Sequence, residues 1–446
     1  AIGMGMTFPT LADLLAARDR ARAADVGRAY GVNTIGSIAG AVLTGFVLVA
    51  WLGSDLTLRL GVLLSATAAL ALAVLAAHGV VQASAEHVRL RARITGAGAL
   101  ASVAVVLGLA APRWDTRLID LGPTIYARSP LTAAALRDFL DRRGSRQVAF
   151  REGWNATVSV WENFHSRSLR VNGKTDASDF TDMDTQIMVG LAAVVARRDA
   201  RMAFAIGYGS GVSARVLAAV PGMERVRIVE LEPAVLEMDR HFRHVNDSVL
   251  ARPMVTTLVD DARSALLLSR ERFDVIVSEP SNPWVAGVAT LYTPEFFDIV
   301  RSRLSADGVF GQWIQLYQLP ISVLAGIVRN LRAVFPHVEI WMAGAADVVV
   351  LGAARPIEYD RSWLERLLGP GAPLEDLGRE WLGLDEAEDY FGRFILGPEG
   401  IERLVARADL AHTDDRPELE FVAARRFIAN EGTPALLDTL IDLRGP

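Results

Sequence analysis

Met202-Ala203-Phe204-Ala205-Ile206-Gly207-Tyr208-Gly209-Ser210-Gly211 is the stretch on which the fold turns. Its first five residues are apolar without alternation, the pattern of a strand covered on both faces. The glycines that follow let the backbone turn sharply and come close to a ligand. Val212–Val220 then reads as a helix. Strand, glycine-rich turn and helix in that order open a parallel α/β sheet.

Downstream, the alternation continues. Strands are expected at Arg225–Val229, Met254–Val259, Phe273–Val277 and Val309–Ile314, and helices at Pro233–Val245, Pro294–Leu304 and Ile321–Phe335. Val338–Met342 and Val348–Gly352 are expected to close the sheet as a hairpin, and residues 355–446 to form a mostly helical extension. Upstream, Thr116–Leu121, Val148–Arg151, Thr157–Trp161 and Leu169–Val171 read as short strands, with Asn172-Gly173 as a turn. Residues 113–200 are thus expected to be a small β domain with a linking helix, and 201–354 a Rossmann-like sheet of the class I methyltransferase type.

Ligands of such a sheet bind at the carboxyl ends of its strands. There stand Gly207, Gly209 and Gly211, then Glu230, then Asp260 and Asp261, then Glu279. Glu230 falls where an acid can accept both hydroxyl protons of a ribose. A dinucleotide fingerprint would place a third glycine at position 212, which is Val212. The spacing favours an S-adenosyl-type nucleoside over NAD. The competing reading of each acid is a helix N-cap or a solvated loop.

The first part of the chain has a different composition. Residues 1–112 carry 8 arginines against 5 acids, whereas the remainder carries 38 basic and 47 acidic groups. Gly31–Gly53, Leu60–Val81 and Ile94–Pro112 are free of Asp, Glu, Lys and Arg over 23, 22 and 19 residues. Each matches the thickness of a bilayer core, so three membrane helices are expected at 31–53, 60–81 and 94–112. Gly36-Ser37-Ile38-Ala39-Gly40 adds a small-xxx-small pattern. Met4–Leu15 reads as the end of an earlier span. The expected location is a bacterial inner membrane, multi-pass. The arginine-rich loops would put the C-terminal part outside by the positive-inside rule; the nucleotide chemistry puts it in the cytoplasm, and that assignment is preferred.

Composition also excludes classes. Hydrophobic residues make up 51% and charged residues 22%, with a mean hydropathy of +0.26, too apolar for disorder. There is no cysteine, hence no disulfide, thiol nucleophile or thiolate-held metal. The seven histidines show no metal spacing, and no bound metal is expected. A net charge of -6 argues against a nucleic-acid partner. Lys174 is the sole lysine among 46 basic residues.

Taken in order, several motifs resemble the spermidine synthase (polyamine aminopropyltransferase) family, and the whole chain resembles its bacterial membrane-fused members. They are Val171-Asn172-Gly173-Lys174-Thr175-Asp176, Asp182-Met183-Asp184-Thr185-Gln186, Ile206–Gly211, Val229-Glu230-Leu231-Glu232-Pro233, Asp260-Asp261-Ala262-Arg263 and Asp274–Trp284. The resemblance implies a small β domain before a Rossmann-like sheet. It implies transfer of an aminopropyl group from decarboxylated S-adenosylmethionine to an amine or polyamine. Residue by residue, it implies that Glu230 holds the ribose, Asp261 receives the adenine amino group and Gln186 lines the sulfur side. Glu279 falls where the family has the acid that positions or deprotonates the attacking amine.

Three positions depart from the family. Ser210 replaces an acid of the glycine loop that grips the aminopropyl ammonium. Asn282 replaces a second acid after the catalytic one, and Thr185 stands where a tyrosine is usual. Asp182, Ser210 and Asn282 are therefore expected to line the substrate. Asp176, Asp179, Asp182 and Asp184 read as an acidic cup or a solvated turn. Two other readings stand beside the transferase: a non-catalytic nucleoside- or polyamine-sensing membrane module, and a methyltransferase using S-adenosylmethionine itself. The lipid bilayer is the expected second partner, and the oligomeric state is left open.

Overall fold

The computed structural model describes residues 23–77, most of 102–120, 144–429 and 436–444, with scattered positions between 96 and 141. The chain divides into two compact units, residues 1–116 with 151–154, and the rest.

In the first unit, α1 (Ala23–Leu43) runs through a π-helical turn at Thr44–Leu48 into α2 (Val49–Ala77). Gly53, with φ 79°, kinks this helix. The loop expected at 54–59 is instead helical. Asp55 and Arg59, four residues apart, pair at 3.0 Å across one turn and support it. Arg59 also donates to the carbonyls of Gly108, Ala111 and Pro112 at 2.9–3.0 Å, a cation at the carboxyl end of the helical residues 105–110. Among the described residues, one helical segment, Gly27–Ala68, has the length and apolarity to cross a membrane. Its large side chains face outward: Val32, Ile35, Phe46 and Trp51 are each more than two-thirds exposed. Residues 78–81 of the second window, much of the third window and Met4–Leu15 lie outside the described residues.

Strands β1 (Arg146–Glu152), whose last two residues are counted with the first unit, β2 (Thr157–Glu162), β3 (Arg167–Val171) and β4 (Lys174–Ser178) form a four-stranded sheet in sequence order. Asn172 and Gly173, at φ 51° and 79°, turn β3 back into β4 as their sequence predicts. The expected strand at 116–121 is instead a helical turn over Thr116–Ile119. It carries Asp120, whose buried carboxylate takes hydrogen bonds from Ser159 and Trp161 of β2.

α3 (Met183–Ala196) links this sheet to a second sheet of eight strands. Its elements are β5 (Met202–Ile206), α4 (Val212–Ala218), β6 (Arg225–Glu230), α5 (Pro233–Glu237), β7 (Val255–Val259), α6 (Ala262–Leu268), β8 (Phe273–Ser278), α7 (Pro294–Arg303), β9 (Leu304–Gln315), α8 (Ile321–Val334), β10 (His337–Gly344), β11 (Asp347–Ala353), α9 (Arg361–Leu368), β12 (Phe394–Leu396), α10 (Pro398–Val405), α11 (Glu418–Ala429) and α12 (Leu436–Asp442). The strand order is β12-β10-β11-β9-β8-β5-β6-β7. β7, β6, β5, β8 and β9 run parallel, whereas β11, β10 and β12 alternate in direction.

Alternate residues of β9 show the double burial. Val309 and Trp313 enter one core with α3 and α4, while Phe310 and Ile314 enter the other with α7 and α8. Two expectations change. The helix read over Pro233–Val245 is broken into α5 and short turns. The mostly helical extension also supplies an edge strand, β12, three residues that pair with β10. From β5 the chain turns first toward β6 and β7, then crosses to β8 on the other side. The topological switch point therefore lies between the ends of β5 and β8.

Candidate active site

Gly207 and Glu279 meet at that switch point. Glu279 N donates to Ile206 O at 3.1 Å, and Gly207 N to Val229 O at 2.9 Å. Gly207 adopts φ 88°, and a Cβ there would lie 2.8 Å from Glu279 O. Only glycine brings the turn after β5 this close to the end of β8.

The glycine turn is held from below. Tyr208 OH donates to Asp239 Oδ1, and Asn246 Nδ2 donates to Asp239 Oδ1 at 3.0 Å and to Ser210 O at 2.8 Å. Burial and the Asp239 carboxylate push the Tyr208 hydroxyl far above its usual range, so it stays a donor. Gly211, at φ 84°, leaves room for that ring, because a Cβ would strike Tyr208 OH. Nothing in the spacing pointed to Asp239 or Asn246, which lie 31 and 38 residues from Tyr208.

Glu230 ends β6. Its Oε2 accepts from Tyr208 N and its Oε1 from Glu232 N, both at 2.9 Å. Each oxygen keeps a lone pair, so the carboxylate is aimed by the backbone with acceptor capacity left over. Burial raises its pKa. Asp261 ends the turn after β7 and is exposed. It is the N-cap of α6, accepting from Ser264 N at 2.8 Å.

On the β8 side the acids are half-buried. Burial, with the charges of Asp182 and Asp347, pushes Glu279 up to about 8. Ser213 of α4 places Oγ 2.8 Å from Gln186 O and 2.5 Å from Glu279 Oε2. Its one proton serves one of these acceptors at a time. Asp182 stands just before α3 and accepts from Ser178 N at 2.9 Å and from Gln186 Nε2 at 3.1 Å; burial raises it to about 6. Asp347, in β11, accepts from Trp313 Nε1 at 3.1 Å and Thr185 Oγ1 at 3.3 Å, and burial raises it to about 6 as well.

Gln186 is buried; it donates to Ser178 O at 2.8 Å and accepts from Ser210 Oγ. Thus Ser210 points at Gln186. Asn282 is fully buried and donates to Tyr317 OH at 3.0 Å, and its Oδ1 has no partner. Lys174 pairs with Asp176 at 2.8 Å, and Asp176 accepts from Ser281 Oγ, tying β4 to the loop after β8. The acidic stretch is no solvated turn. Asp179 accepts from Arg167 N at 2.6 Å, and Asp182 is half-buried behind it. The structure gathers Gln186, Gly207, Ser210 and Glu279 around one point, with Asp182 beside them. Sequence reasoning missed Ser213, Asp347 and Tyr317. Asp414, in the Thr413–Pro417 turn, binds Arg263 and accepts from Thr293 Oγ1 at 2.9 Å, a packing contact outside this point. Among the described residues there is no cluster of His, Asp and Glu able to hold a metal.

Residues 183–344 match the spermine/spermidine synthase domain. The similarity to that family rests on this stretch of the chain. It is 31% identical over 180 residues to the polyamine aminopropyltransferase of Nitrosomonas europaea, covering 40% of this chain and 54% of that one. The polyamine aminopropyltransferase of Corynebacterium efficiens is 27% identical over 321 residues, covering 68% and 55%. That of Mycobacterium tuberculosis is 34% identical over 114 residues, covering 25% and 22%. The chain thus spans between 22% and 55% of the length of these relatives. A crystal structure of spermidine synthase in complex with the transition state analogue AdoDATO superposes with a TM-score of 0.50 at 15% identity, over 58% of this chain and 88% of that one. Strands β5 to β10, the glycine turn and Glu279 fall in the matched region, whereas α1 and α2 lie before it and β11 and β12 after it.

Proposed function

We propose that the chain is a membrane-anchored transferase that moves an aminopropyl group from decarboxylated S-adenosylmethionine to an amine. The observation that carries this reading is the switch point itself: a glycine turn that a nucleoside can approach, an aimed Glu230 beside it, and half-buried Glu279 across it. The named activity of the relatives supports the choice of reaction.

In this reading the ribose hydroxyls donate to the free lone pairs of Glu230. Gln186 and Ser210 line the sulfur end, and Asp261 faces the adenine amino group. The acceptor nitrogen attacks the carbon next to the sulfonium. A C–N bond forms, the C–S bond breaks, and the neutral thioether nucleoside methylthioadenosine leaves. Glu279 takes the proton that the nitrogen sheds. Positioning and proton transfer by one such group supply on the order of 10²-fold or more. A carboxyl held near 8 is mostly protonated at neutrality and half-ionised near pH 8, so both forms are reachable within about a pH unit of neutrality. Asp182 and Asn282 complete the lining.

The apolar helix over 27–68 supports the anchor. Its most apolar stretch has none of its surface buried within the protein and needs a covering, and lipid is one. The proposal keeps membrane helices at 31–53, 60–81 and 94–112 of a bacterial inner membrane, with the C-terminal part on the cytoplasmic side. Reporter fusions at position 114 test the sidedness, and an exported signal there overturns it.

Transfer is tested with purified full-length chain, the decarboxylated donor and a panel of amines. Formation of methylthioadenosine together with an aminopropylated amine is expected. Consumption of S-adenosylmethionine with methyl transfer, or nucleoside binding without turnover of any amine, overturns the assignment.

A further inference from the structure

We propose that β7 is an interface, on which a second copy of this chain pairs edge to edge about a two-fold axis at Thr257. The proposal is independent of the transferase reading. β7 ends the eight-strand order, and among the described residues no strand lies beyond it. Val226 N donates to Met254 O at 3.0 Å, and Asp260 N donates to Glu230 O at 3.2 Å. These bonds face β6. The bonding direction alternates along a strand, so Thr256 and Leu258 face β6 as well. Val255, Thr257 and Val259 then turn their N–H and C=O groups outward. Val255 N is taken by Arg252 O at 3.0 Å. Val255 O and both groups of Thr257 and Val259 stay open to a further strand.

Edge strands are normally blunted by a charge, a proline, a bulge or a covering element. Val255–Val259 has no charge and no proline, and its register with β6 runs without a bulge. Thr256, Thr257, Leu258 and Val259 are all exposed, so both faces of the strand are open. Leu258 lies on the α6 face, because its partner Val229 shares a core with Ala262 and Leu266. On α6, Leu267 and Leu268 are 55% and 77% exposed and widen the apolar surface. Two features select the same strand as the occupant. The outward residues are symmetric about Thr257. Antiparallel pairing there sets Thr257 opposite itself and Val255 opposite Val259, with bonds between the two Thr257 residues and from each Val259 N to the other copy's Val255 O. The strand also ends in opposite charges, with Arg252 before it and exposed Asp260 and Asp261 after it. Antiparallel pairing brings each copy's Arg252 toward the other's acids, whereas parallel pairing would set like charges side by side.

The chain has no cysteine, so a single introduced thiol reads the register directly. Opposite residues of a hydrogen-bonded antiparallel pair have Cα atoms about 5.5 Å apart, within the span of a disulfide. In purified full-length chain in detergent, Thr257→Cys should form a covalent dimer under mild oxidation. Thr256→Cys, which faces Leu258 of the other copy, should cross-link roughly tenfold more slowly or less. Wild type should sediment as a dimer. Thr257→Pro removes only an outward donor, and Thr257→Lys sets like charges opposite one another; each should weaken the dimer by roughly tenfold or more. The lysine variant leaves the backbone untouched and keeps the test open should the proline variant fail to fold. A wild type that sediments as a monomer overturns the proposal. So does equal cross-linking at positions 256 and 257, cross-linking at neither, or a dimer that survives Thr257→Lys unweakened.

Discussion

Carboxylates end β6 and β8 and the turn after β7, yet the two sides of the switch point treat them differently. On the β7 side, Asp261 is exposed and spends an oxygen on capping α6. On the β8 side, Glu279, Asp182 and Asp347 are half-buried, and desolvation holds all three above the ordinary carboxylate range. Glu230 stands between, aimed by two backbone N–H groups. An exposed carboxylate is stable as an anion and suits binding. A half-buried one near others pays for its charge in desolvation and repulsion, which suits proton transfer and cation capture. In the proposed reading, the difference divides the site into a binding half and a reacting half.

The largest effect should come from the reacting half. Glu279→Gln keeps the shape and removes the proton acceptor, and turnover should fall by roughly 10²–10⁴. Methylthioadenosine affinity measured by calorimetry should hold nearly constant, because the proposed ribose contact lies on β6. Full transferase activity in this variant would break the division.

Glu230 tests the binding half. Glu230→Gln trades an acceptor for an amino group that faces a backbone N–H, and it removes the charge from any ribose bond. A charged hydrogen bond contributes about 1.5–3 kcal/mol, so nucleoside affinity should drop roughly 10- to 100-fold, with less change in kcat at saturation. An unchanged affinity would remove Glu230 from the site.

Much of this was legible in the sequence. The runs Met202–Ile206 and Phe273–Ser278 lie as strands where apolar continuity places them, because both faces of the sheet are covered. The glycine turn and the acids at the strand ends follow from the topology. Asp347 was not legible: its donors Trp313 and Thr185 lie 34 and 162 residues away, and only the hairpin brings them together. Ser213 was equally hidden, 66 residues from Glu279. In the first unit, the apolar windows are plain in the sequence. The helical turn at 54–59 was not, because a charged pair interrupts the hydropathy while its four-residue spacing supports the helix.

The pH dependence sharpens the contrast between the halves. Glu279, raised to about 8, is mostly protonated at pH 7 and mostly ionised at pH 9. A base must be ionised to accept a proton, so kcat/KM for the amine should rise about tenfold across that interval. Glu279→Gln should lose this step and keep any rise due to the amine's own deprotonation. Stability runs the other way. A carboxyl whose pKa is raised on folding stabilises the fold fully below its unfolded value, and that contribution is lost as pH climbs through 8. Wild type should therefore lose melting temperature relative to Glu279→Gln between pH 6 and pH 9. Parallel curves for the two proteins would show that Glu279 is not held protonated.

The smallest effect belongs to Asp261, and it decides how far the binding half extends. Asp261→Ala removes the cap on Ser264 N, which costs about 1 kcal/mol of stability. In solvent, a hydrogen bond from its remaining oxygen to an adenine amino group is worth little more, so affinity should fall only a few-fold. Asp261→Asn keeps a capping oxygen and should restore the melting temperature without restoring the charge. Calorimetry on both variants separates the cap from the contact. A loss as large as that of Glu230→Gln would mean that the exposed β7 side closes over the nucleoside when it binds, and the contrast between the two halves would then hold for the free protein alone.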